Sequence, residues 1–144
     1  MKEPRWVLRE AVLALHERLL AEFGGLSGVR DVGLFDSALA RPQQLLAYGQ
    51  PDLADLAAAY AFGLVRNHPF FDGNKRIGFA TAVLFLDLNG REFAAAEVDA
   101  VVQTLALAAG ALDEPGYAAW LRRNSAPRSR PASVARKRRR RSRA

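Results

Sequence analysis

Cysteine is absent from this chain of 144 residues. Disulfides and thiolate metal sites are therefore excluded, and a reducing, cytoplasmic home is the natural expectation. Long apolar runs are missing as well. The charge-free stretch Ile77–Leu86 is ended by Asp87 and Asn89 before it could span a bilayer, so no membrane association is expected. The stretch after Met1 carries Arg9, Glu10, His16, Glu17 and Arg18, which leaves no uninterrupted apolar segment for a signal peptide. Acids are missing from one end only. Arg122–Ala144 holds eleven Arg and Lys and no Asp or Glu, which leaves ten basic against fifteen acidic residues over 1–121. The net charge of +6 thus joins a body of charge −5 to a strongly basic tail, and the sequence pI of about 10.5 says little about the surface of the body.

Half of the residues are hydrophobic, enough for one domain with a core of its own. Their spacing is helical. Over 4–23, Val7, Leu8, Ala11, Val12, Leu15, Leu19, Leu20 and Phe23 form one stripe, with Pro4 suited to a first turn and Gly24-Gly25 to a stop. A second helix is predicted from Leu34 to the break at Arg41-Pro42, with a short continuation to about Ala47, and a third from Pro51-Asp52 to Asn67. A fourth is predicted from Gly73-Asn74 to Asn89-Gly90; its apolar residues occur all round, which reads as a helix in the middle of a bundle. Arg91–Phe93 reads as a short extended piece, and two further helices are predicted over 96–109 and 114–123. The fold class is all-α, a compact bundle of about six to seven helices. No internal repeat occurs. The domain is expected over 1–124. From 125 to 144 the composition turns to Pro, Ser and Arg, with six consecutive cations at 136–141, and a disordered tail is expected.

The chemistry concentrates in the nine residues from His68 to Arg76. Pro69 biases His68 away from helical geometry, and an Asp-Gly-Asn turn then opens the next helix. Unpaired amides and the macrodipole make a helix N-terminus a place for anions. Gly73 permits close ligand approach, Lys75 and Arg76 add cationic donors for phosphate oxygens, and Asp72 supplies an oxygen of the kind Mg²⁺ accepts. Histidine is the side chain most often used as a general base, which makes His68 the candidate for that role. Each element alone has a plainer reading: a His before a Pro is usually a helix-end residue, and Asp-Gly-Asn is most often just a turn. Two cations at a helix start oppose the dipole, and a bound phosphate would account for that placement. Phe70 and Phe71 read as anchors of the loop rather than ligand contacts. Together the set reads as a nucleotide-dependent transfer site.

This segment resembles the Fic/Doc signature H-x-F-x-[DE]-[GA]-N-[KG]-R and meets every defined position. Gly28–Leu39 and Ala82–Leu86, leading to Asn89-Gly90, are also similar to Doc-like proteins, and the resemblance covers roughly 4–124. It implies a Fic/Doc-like helical bundle in which His68 activates a target hydroxyl and Asp72 binds Mg²⁺. Gly73 and Asn74 would form the anion hole, and Lys75 and Arg76 would hold the phosphates of ATP, with His68, Asp72, Asn74, Lys75 and Arg76 forming the catalytic set. Fic adenylyltransferases usually read G-N-G-R-x-x-R. Here Lys75 replaces the second glycine and Phe79 stands at the second arginine, both of which match the Doc branch. That branch implies phosphorylation of a protein threonine, by resemblance on elongation factor Tu, rather than adenylylation. The inhibitory string [ST]-x-x-x-E-[GN] of many Fic proteins is not met; Ser27–Asp31 comes nearest, with Asp for Glu and Val32 next. An antitoxin whose C-terminal segment fills a groove is the partner the resemblance implies.

Outside the motif, His16 reads as a satisfied, partly buried histidine, and Arg30-Asp31 and Asp36-Ser37 as turn and cap residues. The 46–52 stretch reads as a loop, with Tyr48 and Gln50 candidates for substrate contact by analogy to the superfamily's flap. Trp120, Leu121, Leu107 and Leu112 read as core closure. The basic tail is expected to bind polyanions such as RNA or ribosomes without sequence preference. Two rival readings stand beside the kinase: a Fic-type adenylyltransferase, and a non-catalytic Fic-like module that acts through its tail.

Overall fold

The computed structural model describes residues 2–128, so most of the expected tail, including the cation run, lies outside the described residues. In chain order the elements are α1 (Arg9–Phe23), α2 (Val32–Tyr48), α3 (Leu53–Asn67), α4 (Asn74–Leu88), β1 (Arg91–Phe93), α5 (Glu97–Ala109), α6 (Glu114–Arg123) and β2 (Ser125–Pro127). The fold is mostly helical, with six helices among the described residues. None of them is long and apolar enough to cross a membrane.

The centre of the bundle is α3, which packs against α2, α4, α5 and α6. Its sequence explains this. Ala54, Ala57, Ala58, Ala59 and Ala61 favour helix and add little bulk, so neighbours approach from several sides. A Cβ on Gly63 of α3 would lie 3.0 Å from Ala38 of α2, and one on Gly78 of α4 would lie 2.7 Å from Val65 of α3. Ten residues of α3 are buried against seven of α4. As its all-round apolar pattern predicts, α4 is also enclosed: it packs against α1, α3, α5 and β1, and its exposed residues are confined to the ends, Lys75 and Arg76 in the first turn and Asp87 and Leu88 in the last. Tyr60, Phe35, Phe85, Leu64, Ile77 and Leu86 fill the interior, and Trp120, Leu121 and Leu107 close it as expected; Leu112 is half-buried.

Three boundaries differ from the pattern-based expectation. α1 starts at Arg9 rather than near Pro4, because the backbone before it is engaged elsewhere. The Arg5 amide donates to Asn89 Oδ1 at 2.8 Å, Asn89 Nδ2 donates back to the Arg5 carbonyl at 2.9 Å, and the Val7 amide donates to the Tyr60 hydroxyl at 3.1 Å. Its inward stripe is correspondingly narrow: Val12 and His16 are buried, while Leu8 and Phe23 are exposed. α2 runs unbroken through Pro42, which removes one helical hydrogen bond. Pro42 is buried, and its neighbour Arg41 lies over the Phe62 ring at 4.8 Å and pairs with Glu114 of α6, so tertiary contacts hold the helix together across the break. Ser125–Pro127, assigned to the tail by composition, form β2. It pairs antiparallel with β1, with Arg91 opposite Pro127 and Phe93 opposite Ser125. The Arg128 amide extends the ribbon by donating to the Gly90 carbonyl at 2.8 Å.

Asp52 joins the start of α3 to the end of α6. Its Oδ1 accepts from the Asp55 amide at 2.8 Å in a capping box, and Arg122 of α6 donates to its two oxygens at 2.7 and 3.1 Å. The Arg122 guanidinium is the main reason the carboxyl is lowered from 3.8 to about 2. A depressed folded-state value means that the stabilisation is present above the ordinary 3.8 and is lost as pH falls through about 2. Because the Asp52 side chain is half exposed, solvent screening keeps the effect small. Asp52→Asn keeps a good capping residue and removes the charge. Thermal unfolding from pH 7 to pH 2 should show a flatter fall of Tm below pH 4 in this variant; a slope equal to the parent's would disprove the linkage.

Candidate functional site

The motif forms the connection between α3 and α4. His68 caps α3 in the left-handed region, φ 54° and ψ 52°, and is the one non-glycine with positive φ among the described residues. That conformation costs an L-residue about 1–2 kcal/mol. The chain leaves it into Pro69, and the segment 28–31 lies along the loop like a strap. The Arg30 and Asp31 amides donate to the Pro69 carbonyl at 2.6 and 3.1 Å, the Phe71 amide donates to the Gly28 carbonyl at 3.3 Å, and Val29 bridges Phe70.

Phe70 is the buried anchor. Its ring stacks on His16 at 3.7 Å between centroids and meets the edge of Phe35 at 5.3 Å. Its backbone is closed by Asn74: the Phe70 amide donates to Asn74 Oδ1 and Asn74 Nδ2 donates to the Phe70 carbonyl, both at 3.0 Å. Asn74 is only 3% exposed, so its side chain serves the loop itself and offers the cavity its backbone amide. Asp72 is held from both ends. His16 Nε2 donates to its carbonyl at 2.8 Å, and the Leu26 amide donates to its Oδ2 at 2.6 Å. Gly73, at φ 77°, turns the chain into α4; a Cβ there would sit 3.4 Å from His16 Nε2.

Asp side chains cap α2, α3 and α6, and the uncapped α1 and α5 carry acids in their first turns, whereas α4 has neither a side-chain cap nor a first-turn acid. The first amides of α4 therefore lack both helical and side-chain partners, and the positive end of the helix dipole opens on a cavity of about 670 Å³. His68, Asp72, Gly73, Asn74, Lys75 and Arg76 all line this cavity. The Arg76 guanidinium lies over the Phe23 ring at 4.4 Å, which fixes one of the two cations at the mouth. Phe79 lines the inner wall and meets the edge of Phe93 at 5.7 Å. Phe23, Val101 and Leu105 make an exposed apolar flank.

No group of three or more His, Asp or Glu side chains able to hold a metal occurs among the described residues. A divalent cation here would take Asp72, whose carboxylate is oriented by Leu26, and draw its remaining oxygens from water and a phosphate ligand. That is the usual coordination of Mg²⁺ at nucleotide sites, so the residues fit such an ion.

The anchors were expected to include Phe71, but it is 46% exposed and lines the cavity instead. Tyr48 and Gln50 do not line it; Tyr48 sits at the end of α2 and is 92% exposed. The supports supplied by His16, Leu26 and Arg30 are new to the structure. Each reaches the motif from at least 37 residues away in sequence, so no local pattern announces them.

The family model described as Fic/DOC family matches residues 6–86. Over 76 residues the chain is 51% identical to a protein named Toxin Doc from Mycolicibacterium smegmatis, a match covering 51% of this chain and 58% of the relative. Over 87 residues it is 37% identical to a protein named Protein kinase doc from Escherichia phage P1, covering 60% of this chain and 69% of the relative.

Asn74→Ala should uncouple the loop from α4 by leaving the buried Phe70 amide and carbonyl unpaired. A loss of about 2–3 kcal/mol in the free energy of urea unfolding is expected. A midpoint equal to the parent's would show that the loop does not depend on this pair.

Proposed function

This chain belongs to the Fic/DOC family, and on that premise we propose that it is a Doc-type toxin: an ATP-dependent phosphotransferase acting on a threonine of a protein target. One observation carries the reading. A histidine, a carboxylate, two cations and an uncapped helix N-terminus converge on a single cavity.

The α4 amides, with Lys75 and Arg76, bind the phosphates of ATP, where donors and dipole need no rearrangement as charge shifts during transfer. Asp72 holds Mg²⁺, which neutralises phosphate charge when bound. His68 accepts the proton of the target hydroxyl as its oxygen bonds to the γ-phosphorus and the bond to ADP breaks. Phe79 and Lys75 favour transfer of the terminal phosphoryl group over AMP. Phe79 packs against Phe93 and offers no charge to distal phosphates, and Lys75 stands where an adenylyltransferase keeps a glycine. The name of the phage relative points the same way.

Elongation factor Tu is the proposed target, by resemblance, which sets the reaction in the cytoplasm and makes its consequence a block of translation. The partner that restrains it is an antitoxin, whose C-terminal segment would cover the exposed apolar flank of Phe23, Val101 and Leu105.

The test is a transfer assay with elongation factor Tu, Mg²⁺ and ATP labelled at either the γ- or the α-phosphate. Label should come from the γ position and fall by at least about 100-fold in His68→Ala. Label from the α position would establish adenylylation instead. Transfer retained by His68→Ala would remove its role as base.

A further inference from the structure

Arg30 belongs to neither the motif nor the cavity lining. Its guanidinium nevertheless meets the backbone of the residue proposed as the base. Nε and Nη2 donate to the His68 carbonyl at 2.9 and 2.7 Å, and Nη2 also donates to the Asn67 carbonyl at 3.3 Å. The torsions that separate these two carbonyls are φ and ψ of His68. A rigid planar fork bound to both therefore fixes the same pair of angles that hold His68 in the left-handed region.

Both ends of this clamp are anchored. On the Arg30 side, the backbone amides of Arg30 and Asp31 donate to the Pro69 carbonyl, and Asp31 Oδ1 caps α2 by accepting from Leu34 at 2.9 Å. On the His68 side, Asn67 Nδ2 donates to the Leu34 carbonyl at 3.0 Å. The last carbonyls of a helix have no helical partner, and a left-handed C-cap residue is usually Gly. Here the position is occupied by a side chain that lines the cavity, so the backbone preference is supplied from outside.

We infer that Arg30 is a positioning residue for His68, setting the direction of its imidazole through the backbone without touching substrate. This rests on the reading of His68 as the base. Lysine at position 30 keeps the charge but cannot bind two carbonyls as one rigid plane, so the fork rather than the charge is the active feature.

Arg30→Lys and Arg30→Ala in the full chain, with His carrying ¹³C and ¹⁵N, test it directly. The chain has two histidines, so His68 gives one of two backbone signals, assigned by comparison with His68→Gln. In the parent its Cα and Cβ shifts should report a left-handed residue. In both variants they should move toward averaged values, while Tm stays near the parent's. In the transfer assay kcat should fall by about 10- to 100-fold with KM for ATP unchanged. His68 shifts unmoved in both variants would overturn the inference, as would shifts that move while kcat holds. Parallel loss of Tm, kcat and ATP affinity in both variants would assign Arg30 a purely structural role and overturn it too. If the parent transfers nothing, the kinase reading fails, while the His68 shifts still decide whether Arg30 sets this backbone.

Discussion

Phe70 carries the mechanical connection between core and site. Its ring is buried between His16 of α1 and Phe35 of α2, and both of its backbone hydrogen-bonding groups are closed by Asn74 at the start of α4. A short loop with three polar neighbours has little reason to hold one shape in water, since ordering each residue costs about 1–2 kcal/mol of backbone entropy. Burying one aromatic side chain returns about 1.5–3 kcal/mol, and two satisfied hydrogen bonds around it add to that. The residues that face the cavity are thus held by one that does not. The same ring also places His16 where its Nε2 reaches the Asp72 carbonyl, so α1 supports the far half of the loop through the stack.

Around this anchor the charges are arranged by exception. Aspartates cap three of the helices and complement their dipoles. α4 alone begins with a glycine turn followed by Asn, Lys and Arg, an order unfavourable to an isolated helix. The unmet amides and the cations Lys75 and Arg76 face a recess that the carboxylates of Asp72 and Glu97 also line. The exposed side chains of Phe23, Val101 and Leu105 flank the same cavity.

Much of the bundle was legible because its signals are local. Alanine-rich periodicity, aspartate caps and glycine stops belong to single segments, and α3, α5 and α6 start and end within a residue or two of expectation. The misreadings arose where a distant contact overrode a local rule. Pro42 would end a free helix, but burial and the reach of Arg41 to Phe62 and Glu114 carry α2 across it. Residues before Arg9 have helical spacing, yet Asn89 and Tyr60 take their backbone groups. Ser125–Pro127 look like the start of a tail, yet β1 offers them an edge to pair with.

Chain order alone already sets which polar groups stand together. A nine-residue string contains the histidine, the carboxylate, the glycine turn and the cations, and their adjacency in the chain brings them to one place in any fold that allows the turn. The packing of distant segments set how each is oriented. It turned Asn74 inward and Phe71 outward, oriented Asp72 from Leu26 and His16, and set His68 in a left-handed turn beneath the fork of Arg30. The physical reason is range. Helix caps and turns act within about four residues of chain, whereas the direction of a side chain in a loop is set by whatever packs against its backbone, and those partners arrive only when the helices assemble.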